Sequence, residues 1–247
     1  MTYKNFVIPD AAGAPPPDAE QAARKQKKAL IGGDVALRRQ HGKASVLAGK
    51  HILDPVFHDA DREALRAFCA DDPARPLVVE IGFQLGECAA GWLPGRPEVR
   101  WVGIEVRKKF VEDTAALFAQ NAIEHARIVL SDARALLPDV VAKGTLDVLH
   151  VFYPDPWWKP RHIKKRLVTP EFAAMAADLL RPGGHLLFKT DVDGYAAFAR
   201  DVLQSEARWT VEELADPTAG LPPTLREIRC LRYGNPTWAL RATRLPD

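Results

Sequence analysis

Short apolar segments alternate with stretches of helical periodicity along most of the chain. Their β-branched and aromatic residues predict strands at residues 77–81, 101–105, 127–130, 146–153 and 185–190, and a later alternating segment predicts one more at 237–244. Strands that alternate with helices are typical of a parallel sheet with crossover helices on both faces. The pattern therefore predicts an α/β fold.

Helices are predicted at residues 61–72, 108–121, 170–180 and 194–205. In the second of these, Val111, Ala115 and Phe118 lie on one face. The third is marked at both ends. Thr169 is a suitable cap and Pro170 suits the first turn, while the Arg-Pro-Gly-Gly segment at 181–184 is expected to end the helix.

The first 50 residues lack this periodicity. Residues 1–20 are rich in proline and alanine, which predicts a poorly ordered arm. Residues 21–50 are basic and only partly patterned, and they fit a helix, an RNA-contacting tail or a solubilising arm. We therefore predict a basic, partly disordered arm at 1–50 and one domain at 51–247.

The composition, with 47% hydrophobic and 27% charged residues, is typical of a globular domain. No run of 18 or more apolar residues is present, so no membrane span is expected, and the N-terminus lacks the apolar core of a secretory signal. Cys69, Cys88 and Cys230 are widely spaced, which favours reduced thiols and a cytoplasmic location. The seven histidines show no ligand spacing, so no metal site is expected.

Basic residues are concentrated in three segments, although the formal net charge is only +2. Residues 1–50 contain nine Lys or Arg against four Asp or Glu, residues 159–166 form a second basic run, and residues 226–244 contain five arginines against one glutamate. This distribution fits a polyanionic partner that approaches from one side. Charge alone would fit a membrane surface or an acidic protein equally well.

Glycines and acidic residues follow the first three predicted strands. Gly82 and Gly86 come after the first strand, where glycine lets a ligand approach the backbone. Glu105 ends the second strand, where a carboxylate can accept both ribose hydroxyls, and Asp132 follows the third, where it can meet an adenine amino group. Because the carboxyl ends of parallel strands meet at one edge of a sheet, these residues indicate a cofactor that contains a nucleoside.

The charge around the glycine turn distinguishes between such cofactors. Glu80 precedes the turn and Glu87 opens the following helix, so negative charge crowds the place that a pyrophosphate would occupy. S-adenosylmethionine, with its positive sulfonium and ammonium groups, suits this place better than a dinucleotide. We therefore expect S-adenosyl-L-methionine as cofactor and S-adenosyl-L-homocysteine as product.

The stretch at 146–167 carries the strongest candidate chemistry. Asp155 stands between two prolines at the end of a buried strand, and two tryptophans and a dense run of cations follow it. An acid beside aromatic faces and cations is what a site needs to hold a base while phosphates are bound nearby. The alternative is a proline-stiffened turn followed by a solvated charged face.

With these motifs the sequence resembles the bacterial tRNA (guanine-N7-)-methyltransferases from about residue 77 to residue 245. The most specific segment is Tyr-Pro-Asp-Pro-Trp-Trp-Lys-Pro-Arg-His-Ile-Lys-Lys-Arg-Leu at 153–167. Supporting matches are Glu-Ile-Gly at 80–82, Gly-Ile-Glu-Val at 103–106, Ser-Asp-Ala at 131–133 and Leu-Arg-Pro-Gly-Gly at 180–184. The resemblance implies the class I S-adenosylmethionine-dependent methyltransferase fold, with a seven-stranded, mostly parallel sheet and helices on both faces.

The resemblance also implies roles for individual residues, with Asp155 as the catalytic candidate. The cofactor would be bound by Glu80, Gly82, Gly86, Glu105, Asp132 and Asp155. The guanosine would be faced by Lys159, Asp191, Thr224 and Glu227. The RNA would be contacted by Arg161, His162, Lys164, Lys165 and Arg166.

Two departures from the family's pattern bear on this site. The family usually has a central glycine in the turn where this chain has Gln84, whose side chain is expected to obstruct or reshape the cofactor pocket. In the C-terminal motif, Arg226 and Cys230 stand where the family usually has an aromatic residue and a glycine. These changes leave the fold prediction intact and bear on the substrate and the activity.

The implied reaction is methyl transfer from S-adenosylmethionine to N7 of a guanosine in tRNA. N7 needs no deprotonation, so the enzyme would position the reactants and offset the positive charge that builds on the base. Two alternatives remain: a methyltransferase that acts on an exocyclic amine of a nucleic acid, and a non-catalytic or substrate-switched RNA-binding protein with the same fold. As partners we expect tRNA, with no membrane and no metal, in a monomer or homodimer.

Overall fold

The computed structural model describes residues 52–53 and 58–246, and the predicted arm at 1–50 lies outside them. The strands of the described residues are β1 (Ile52–Leu53), β2 (Leu77–Ile81), β3 (Arg100–Glu105), β4 (Ala126–Leu130), β5 (Leu146–Phe152), β6 (Leu180–Thr190), β7 (Trp209–Glu213) and β8 (Trp238–Arg244). The helices are α1 (Asp59–Ala70), α2 (Glu87–Trp92), α3 (Lys108–Gln120), α4 (Ala133–Val140), α5 (Pro170–Leu179), α6 (Asp193–Gln204) and α7 (Leu225–Tyr233). Among the described residues, Leu93–Gly95 and Pro160–Lys165 form 3-10 turns.

The strands form one sheet in the order β1-β4-β3-β2-β5-β6-β8-β7. The pairs from β1 to β6 are parallel, and β8 is antiparallel to both β6 and β7. The expected seven strands are therefore corrected to eight in the described part of the chain. The strands that the hydrophobic pattern did not predict, β1 and β7, lie at the two edges, where a strand has one neighbour and carries a weaker apolar pattern.

Helices cover both faces of the sheet, as the sequence predicts. Successive residues of a strand point to opposite faces, and β2 follows this rule. Leu77 and Val79 belong to one core cluster together with residues of α1, α4, α5 and α6. Val78 belongs to a second cluster on the other face, together with residues of α2 and α3.

The junction between α5 and β6 differs from the prediction. Thr169 caps α5 as expected, because its hydroxyl accepts a hydrogen bond from the backbone N–H of Phe172 at 3.2 Å. The helix ends at Leu179, however, and the Arg-Pro-Gly-Gly segment lies in β6, where the register with β5 shifts. A Cβ at Gly184 would lie 2.9 Å from the carbonyl oxygen of Asp147, so this bulge needs a glycine.

The parallel register brings the carboxyl ends of β2 to β6 to the same edge of the sheet. Each of these strands is followed there by a turn or loop, and the loops contain the acidic residues that the sequence singles out. Within the described ranges, the helices are all too short or too polar to cross a membrane.

Candidate active site

A cleft of about 230 Å³ opens at the carboxyl edge of the sheet. It is lined by Ile81, Gly82, Ile104, Glu105, Val106, Ser131, Asp132, Ala133, Arg134, Pro154, Asp155, Trp157, Lys165 and Leu167. Apolar walls thus alternate with carboxylates, which suits a ligand that has an aromatic ring and hydroxyl groups.

The glycine turn that leads from β2 to α2 forms one side of this cleft. Gly82 lines the cleft and has a φ of +76°, in the left-handed region. Gly86 also has a positive φ, and a Cβ there would lie 2.3 Å from Cγ2 of Thr114, so α3 leaves no room for a side chain. Of the two predicted cofactor glycines, Gly82 faces the cleft, whereas Gly86 packs against α3.

Gln84, at the centre of the same turn, adopts a left-handed conformation with a φ of +52°. Its backbone N–H donates to Oε2 of Glu105 at 3.3 Å, and its carbonyl oxygen accepts a hydrogen bond from the Thr114 hydroxyl at 3.2 Å. A residue with a Cβ in this conformation costs about 1–2 kcal/mol. The Gln84 side chain is exposed, and Gly82 rather than Gln84 lines the cleft, so the expected obstruction is not found in this structure.

Glu105 is held at the cleft wall by three backbone N–H groups. Its Oε1 accepts hydrogen bonds from Val106 at 2.9 Å and from Arg107 at 3.0 Å, and its Oε2 accepts the bond from Gln84. A carboxylate offers about four lone-pair positions. Glu105 therefore keeps acceptor capacity for the hydroxyl groups of a ligand in a fixed orientation.

Asp132 follows β4 and forms the N-cap of α4. Its Oδ1 accepts from the backbone N–H of Arg134 at 3.0 Å, and its Oδ2 pairs with the Arg134 guanidinium at 2.6 Å. The hydrogen bonds from Arg134 hold the pKa of Asp132 below its usual range. Asp132 thus faces the cleft as an anion that already has one partner.

The Pro-Asp-Pro-Trp loop after β5 is bracketed by two residues with positive φ, Tyr153 at +51° and Trp157 at +40°. Conformations of this kind persist where the surrounding structure holds them, and they cluster at functional sites. Here the backbone N–H of Tyr153 donates to the Lys189 carbonyl at 2.7 Å, and Nε of Arg166 donates to the Pro156 carbonyl at 2.8 Å. The exposed carboxylate of Asp155 is therefore presented to the cleft on a loop that is anchored at both ends.

The basic run forms the 3-10 turn beside this loop. Arg161, Lys164 and Lys165 are exposed, as is Lys159 just before the turn. The Lys165 ammonium lies 5.0 Å from the Trp157 ring centre, and the His162 ring meets Trp157 edge-on with centres 5.5 Å apart.

Arg166, the last residue of the predicted RNA-contacting set, lies differently from the others. Its guanidinium packs 4.4 Å from the ring centre of Phe198 and 5.2 Å from that of Tyr195. With its hydrogen bond to Pro156, these contacts direct the side chain inward. Arg166 therefore supports the loop that carries Asp155.

A buried ion pair joins β6 to α7. Nζ of Lys189 is 3.0 Å from Oε1 of Glu227, with side-chain exposures of 0% and 4%, and it also donates to the Thr218 carbonyl at 2.8 Å. The sequence pattern did not single out Lys189. The available signal was a lysine within the apolar strand segment at 186–190.

The N-terminus of α7 collects the predicted guanosine-facing residues other than Lys159. Thr224 and Glu227 form a capping box, in which each side chain accepts a hydrogen bond from the backbone N–H of the other. Asp191, at the end of β6, pairs with the guanidinium of Arg226. The capping box is the local Thr-x-x-Glu pattern of a helix start, whereas the pairing of Asp191 with Arg226 does not follow from the sequence pattern, because the two residues come together only when α7 docks on the sheet.

Two carboxylates lie behind the glycine turn. Burial, reinforced by the nearby Glu87 carboxylate, raises the pKa of Glu80 to about 8, and burial also raises the pKa of Glu87. Oε1 of Glu87 accepts a hydrogen bond from the backbone N–H of Leu225 at 2.7 Å, whereas Oε2 is buried without a hydrogen-bond partner among the described residues. Neither carboxyl group lines the cleft, and both lie behind the turn that forms one side of it.

His150 lies on β5, directly beside Glu80 of β2, and is buried as well, and burial lowers its pKa to about 3. It stacks on Phe152 with ring centres 4.7 Å apart. It is therefore a neutral core side chain. The described residues contain no group of three or more His, Cys, Asp or Glu that could hold a metal ion.

Comparison with known proteins gives the class first. A family model described as "Putative methyltransferase" matches residues 74–240. The crystal structure of the 16S rRNA methyltransferase KamB has a TM-score of 0.55 and 20% identity, and the match covers 77% of this chain and 95% of that chain. The aminoglycoside resistance methyltransferase NpmB1 has a TM-score of 0.52 at 17% identity, over 74% and 93% of the two chains. The protein has the fold of the class I methyltransferases, whose methyl donor is S-adenosylmethionine.

Curated relatives identify the family. The tRNA (guanine-N(7)-)-methyltransferase of Acidovorax sp. (strain JS42) is 35% identical over 242 residues, which cover 96% of this chain and 93% of that protein. The protein of the same name from Ralstonia pickettii (strain 12J) is 41% identical over 165 residues, or 65% of this chain. That second match spans 63% of the length of the Ralstonia pickettii protein. The chain belongs to the tRNA (guanine-N7-)-methyltransferase family, and the resemblance found in the sequence is confirmed.

Proposed function

We propose that this protein transfers a methyl group from S-adenosyl-L-methionine to N7 of a guanosine in tRNA and releases S-adenosyl-L-homocysteine. The observation that carries the proposal is the position of Asp155. Its exposed carboxylate lies on an anchored loop and lines the same cleft as Gly82, Glu105 and Asp132. Membership of the family supports the same reaction.

The cofactor side follows from the charges around the cleft. Glu105 accepts hydrogen bonds from ribose hydroxyls, and Asp132 lies where an adenine amino group would bind. Glu80 and Glu87 lie behind the turn, where burial raises the pKa of both carboxyl groups. A positively charged ligand beside them would favour their ionised forms, whereas an anionic ligand would not. When bound there, S-adenosylmethionine supplies an activated methyl group.

Methylation of N7 requires positioning more than proton transfer. The N7 lone pair lies in the plane of the base and attacks without losing a proton, so the base must be held in line with the methyl group. Asp155 accepts hydrogen bonds from the Watson–Crick edge of the guanine and offsets the positive charge that develops on the ring. The anchored loop keeps this carboxylate in place.

The RNA side combines exposed cations with an aromatic side chain. Lys159, Arg161, Lys164 and Lys165 contact phosphates, which supply most of the salt-dependent affinity of proteins for nucleic acids. Trp158 has 56% of its surface exposed next to this run and is available to stack on a base. Asp191 and the Thr224–Glu227 segment of α7 complete the guanosine side.

We further propose that residues 51–247 form the catalytic domain and that the basic segment at 1–50 adds phosphate contacts. A cytoplasmic location fits a tRNA substrate. It also fits the three cysteines, which are free and buried in the described structure.

Labelled methyl transfer to unmodified bulk tRNA, followed by identification of the labelled nucleoside, tests the proposal. We expect labelled 7-methylguanosine from the wild-type protein and a loss on the order of 100-fold or more in Asp155→Ala, since one electrostatic contact in an active site contributes about that much. Glu171→Gln, which removes an exposed carboxylate on α5, serves as the matched control. A different labelled nucleoside, or wild-type turnover in Asp155→Ala, would refute the assignment.

A further inference from the structure

Arg226 brings a cation into the guanosine side of the site, where the family usually has an aromatic residue. Its Nε donates to Oδ2 of Asp191 at 2.8 Å, and its Nη2 donates to the same oxygen. The Asp191 side chain has 8% of its surface exposed and that of Arg226 has 33%. The guanidinium is therefore reachable from solvent, while the carboxylate that holds it is nearly buried.

Three contacts fix the backbone from which Arg226 projects. The capping box joins Thr224 to Glu227, the buried Lys189 pairs with Glu227, and Glu87 accepts a hydrogen bond from the N–H of Leu225, the residue just before Arg226. This fixed backbone places the Arg226 side chain within reach of Asp191, and the hydrogen bonds to Asp191 then hold the guanidinium in one of its many possible positions. The pair with Asp191 is therefore already formed in the protein without RNA.

An unrestrained arginine at this position would oppose the proposed reaction. The commonest specific contact of arginine with guanine is a bidentate hydrogen bond to O6 and N7. That contact occupies the N7 lone pair, which must attack the methyl group. It also places a second positive charge beside the ring that becomes cationic.

We propose, on the basis of the proposed function, that Asp191 acts as a restraint on Arg226 and keeps its guanidinium away from the N7 edge of the target guanine. In this chain Asp191 therefore has two tasks, because it also lies among the residues that face the guanosine. Both hydrogen bonds from Arg226 end on Oδ2, so they leave the acceptor capacity of Oδ1 for the base. Arg226 is thus a specificity-determining residue that is compatible with N7 methylation only while it is paired.

Methyl transfer by four variants tests this restraint. Asp191→Asn removes the negative charge and frees Arg226, so we expect a large fall in kcat. Asp191→Asn/Arg226→Phe restores the aromatic type at position 226. Its kcat should be about tenfold higher than that of Asp191→Asn, because one good arginine–base contact contributes about that factor. Asp191→Glu keeps a carboxylate, so adding Arg226→Phe in that background should give no gain.

Binding to RNA in the presence of S-adenosylhomocysteine gives a readout that a merely structural ion pair would not change. A tRNA transcript made with 7-deazaguanosine lacks the N7 acceptor. We expect it to bind the wild-type protein nearly as well as the ordinary transcript, and to bind Asp191→Asn about tenfold more weakly than the ordinary transcript, because only there does Arg226 contact N7. Arg200 and Glu213 form a more exposed pair between α6 and β7, with side-chain exposures of 36% and 45%, and provide the control variants Glu213→Gln and Glu213→Gln/Arg200→Phe.

The outcomes separate this inference from the proposed function. If the wild-type protein makes 7-methylguanosine but the double variant is no more active than Asp191→Asn, the restraint is refuted and the proposed function stands. Equal binding of the two transcripts to Asp191→Asn also refutes the restraint. If the wild-type protein makes no 7-methylguanosine, the proposed function fails and the restraint fails with it.

Discussion

Removal of the buried cation Lys189 should destabilise the protein strongly. Its ammonium lies 3.0 Å from the Glu227 carboxylate, and neither side chain is more than 4% exposed. At an effective dielectric constant near 20, two unit charges at that distance attract by about 5 kcal/mol. Lys189→Met leaves the Glu227 carboxylate buried and unpaired, close to the Glu87 carboxylate, and deprives the Thr218 carbonyl of its donor.

Breaking a buried ion pair by removing one partner costs about 3–5 kcal/mol, and we expect Lys189→Met to fall within this range. Urea unfolding followed by tryptophan fluorescence measures the change, since Trp101 and Trp209 lie in the core. With a slope of about 2–3 kcal/mol per molar urea, the midpoint should fall by roughly 1.5 M.

Two further variants make the result decisive. Lys143→Met removes a lysine that is 80% exposed and 2.8 Å from Asp178, and a surface pair of this kind contributes about 0–1 kcal/mol. Lys189→Met/Glu227→Gln removes both buried charges and should be more stable than Lys189→Met alone. If Lys189→Met behaves like Lys143→Met, or if the double variant is the least stable, the buried pair does not have the importance that its geometry implies.

Three other results are expected. The pKa of Glu80 is about 8 in the folded protein and near 4.5 in the unfolded chain. The protonated carboxyl therefore contributes its full stabilisation below pH 4.5, and this stabilisation is lost as the pH rises towards 8. Glu80→Gln should flatten the decline of the urea midpoint from pH 5 to pH 8, and an unchanged slope would contradict this. Gln84→Gly should raise the free energy of unfolding by up to about 1 kcal/mol by relieving the left-handed conformation, whereas Gln84→Val should lower it. Lys164→Gln/Lys165→Gln should weaken tRNA binding. It should also reduce the slope of the logarithm of the binding constant against the logarithm of the salt concentration, by about 1 for each of these lysines that binds a phosphate. An unchanged slope would exclude both lysines from the interface.

The sequence predicts the centre of the fold better than its edges, for a physical reason. Central strands such as β2 are covered on both faces and are continuously apolar, so the predicted strand at 77–81 coincides with β2 at both ends. The two-residue strand β1 pairs through Ile52 and Leu53 alone and has no periodicity to detect. The bulge at 181–184 contains proline and glycine, which mark the end of a helix and a distorted strand equally well.

The site divides in the same way. Glu105, Asp132 and Asp155 could be placed together from the sequence, because parallel strands deliver their carboxyl ends to one edge. The ion-pair partners of Lys189 and Asp191 could not be predicted, since these partners, Glu227 and Arg226, lie on α7 and their positions depend on how that helix docks. The inward direction of Arg166 was also inaccessible, because the surrounding basic run gives no indication that one member packs on aromatic rings.

The hydrogen bond from Leu225 to Glu87 limits how this chain can be divided. The residues that line the cleft all lie between positions 81 and 167, which suggests a cofactor module that could be cut free of the C-terminal third. Glu87 opens the helix behind the glycine turn, however, and its carboxylate is covered by the start of α7. A fragment that ends before α7 would expose that carboxylate to water and release the turn from its support. The start of α7 therefore supports the glycine turn, and a change in α7 can alter the shape of the cleft without touching the residues that line it.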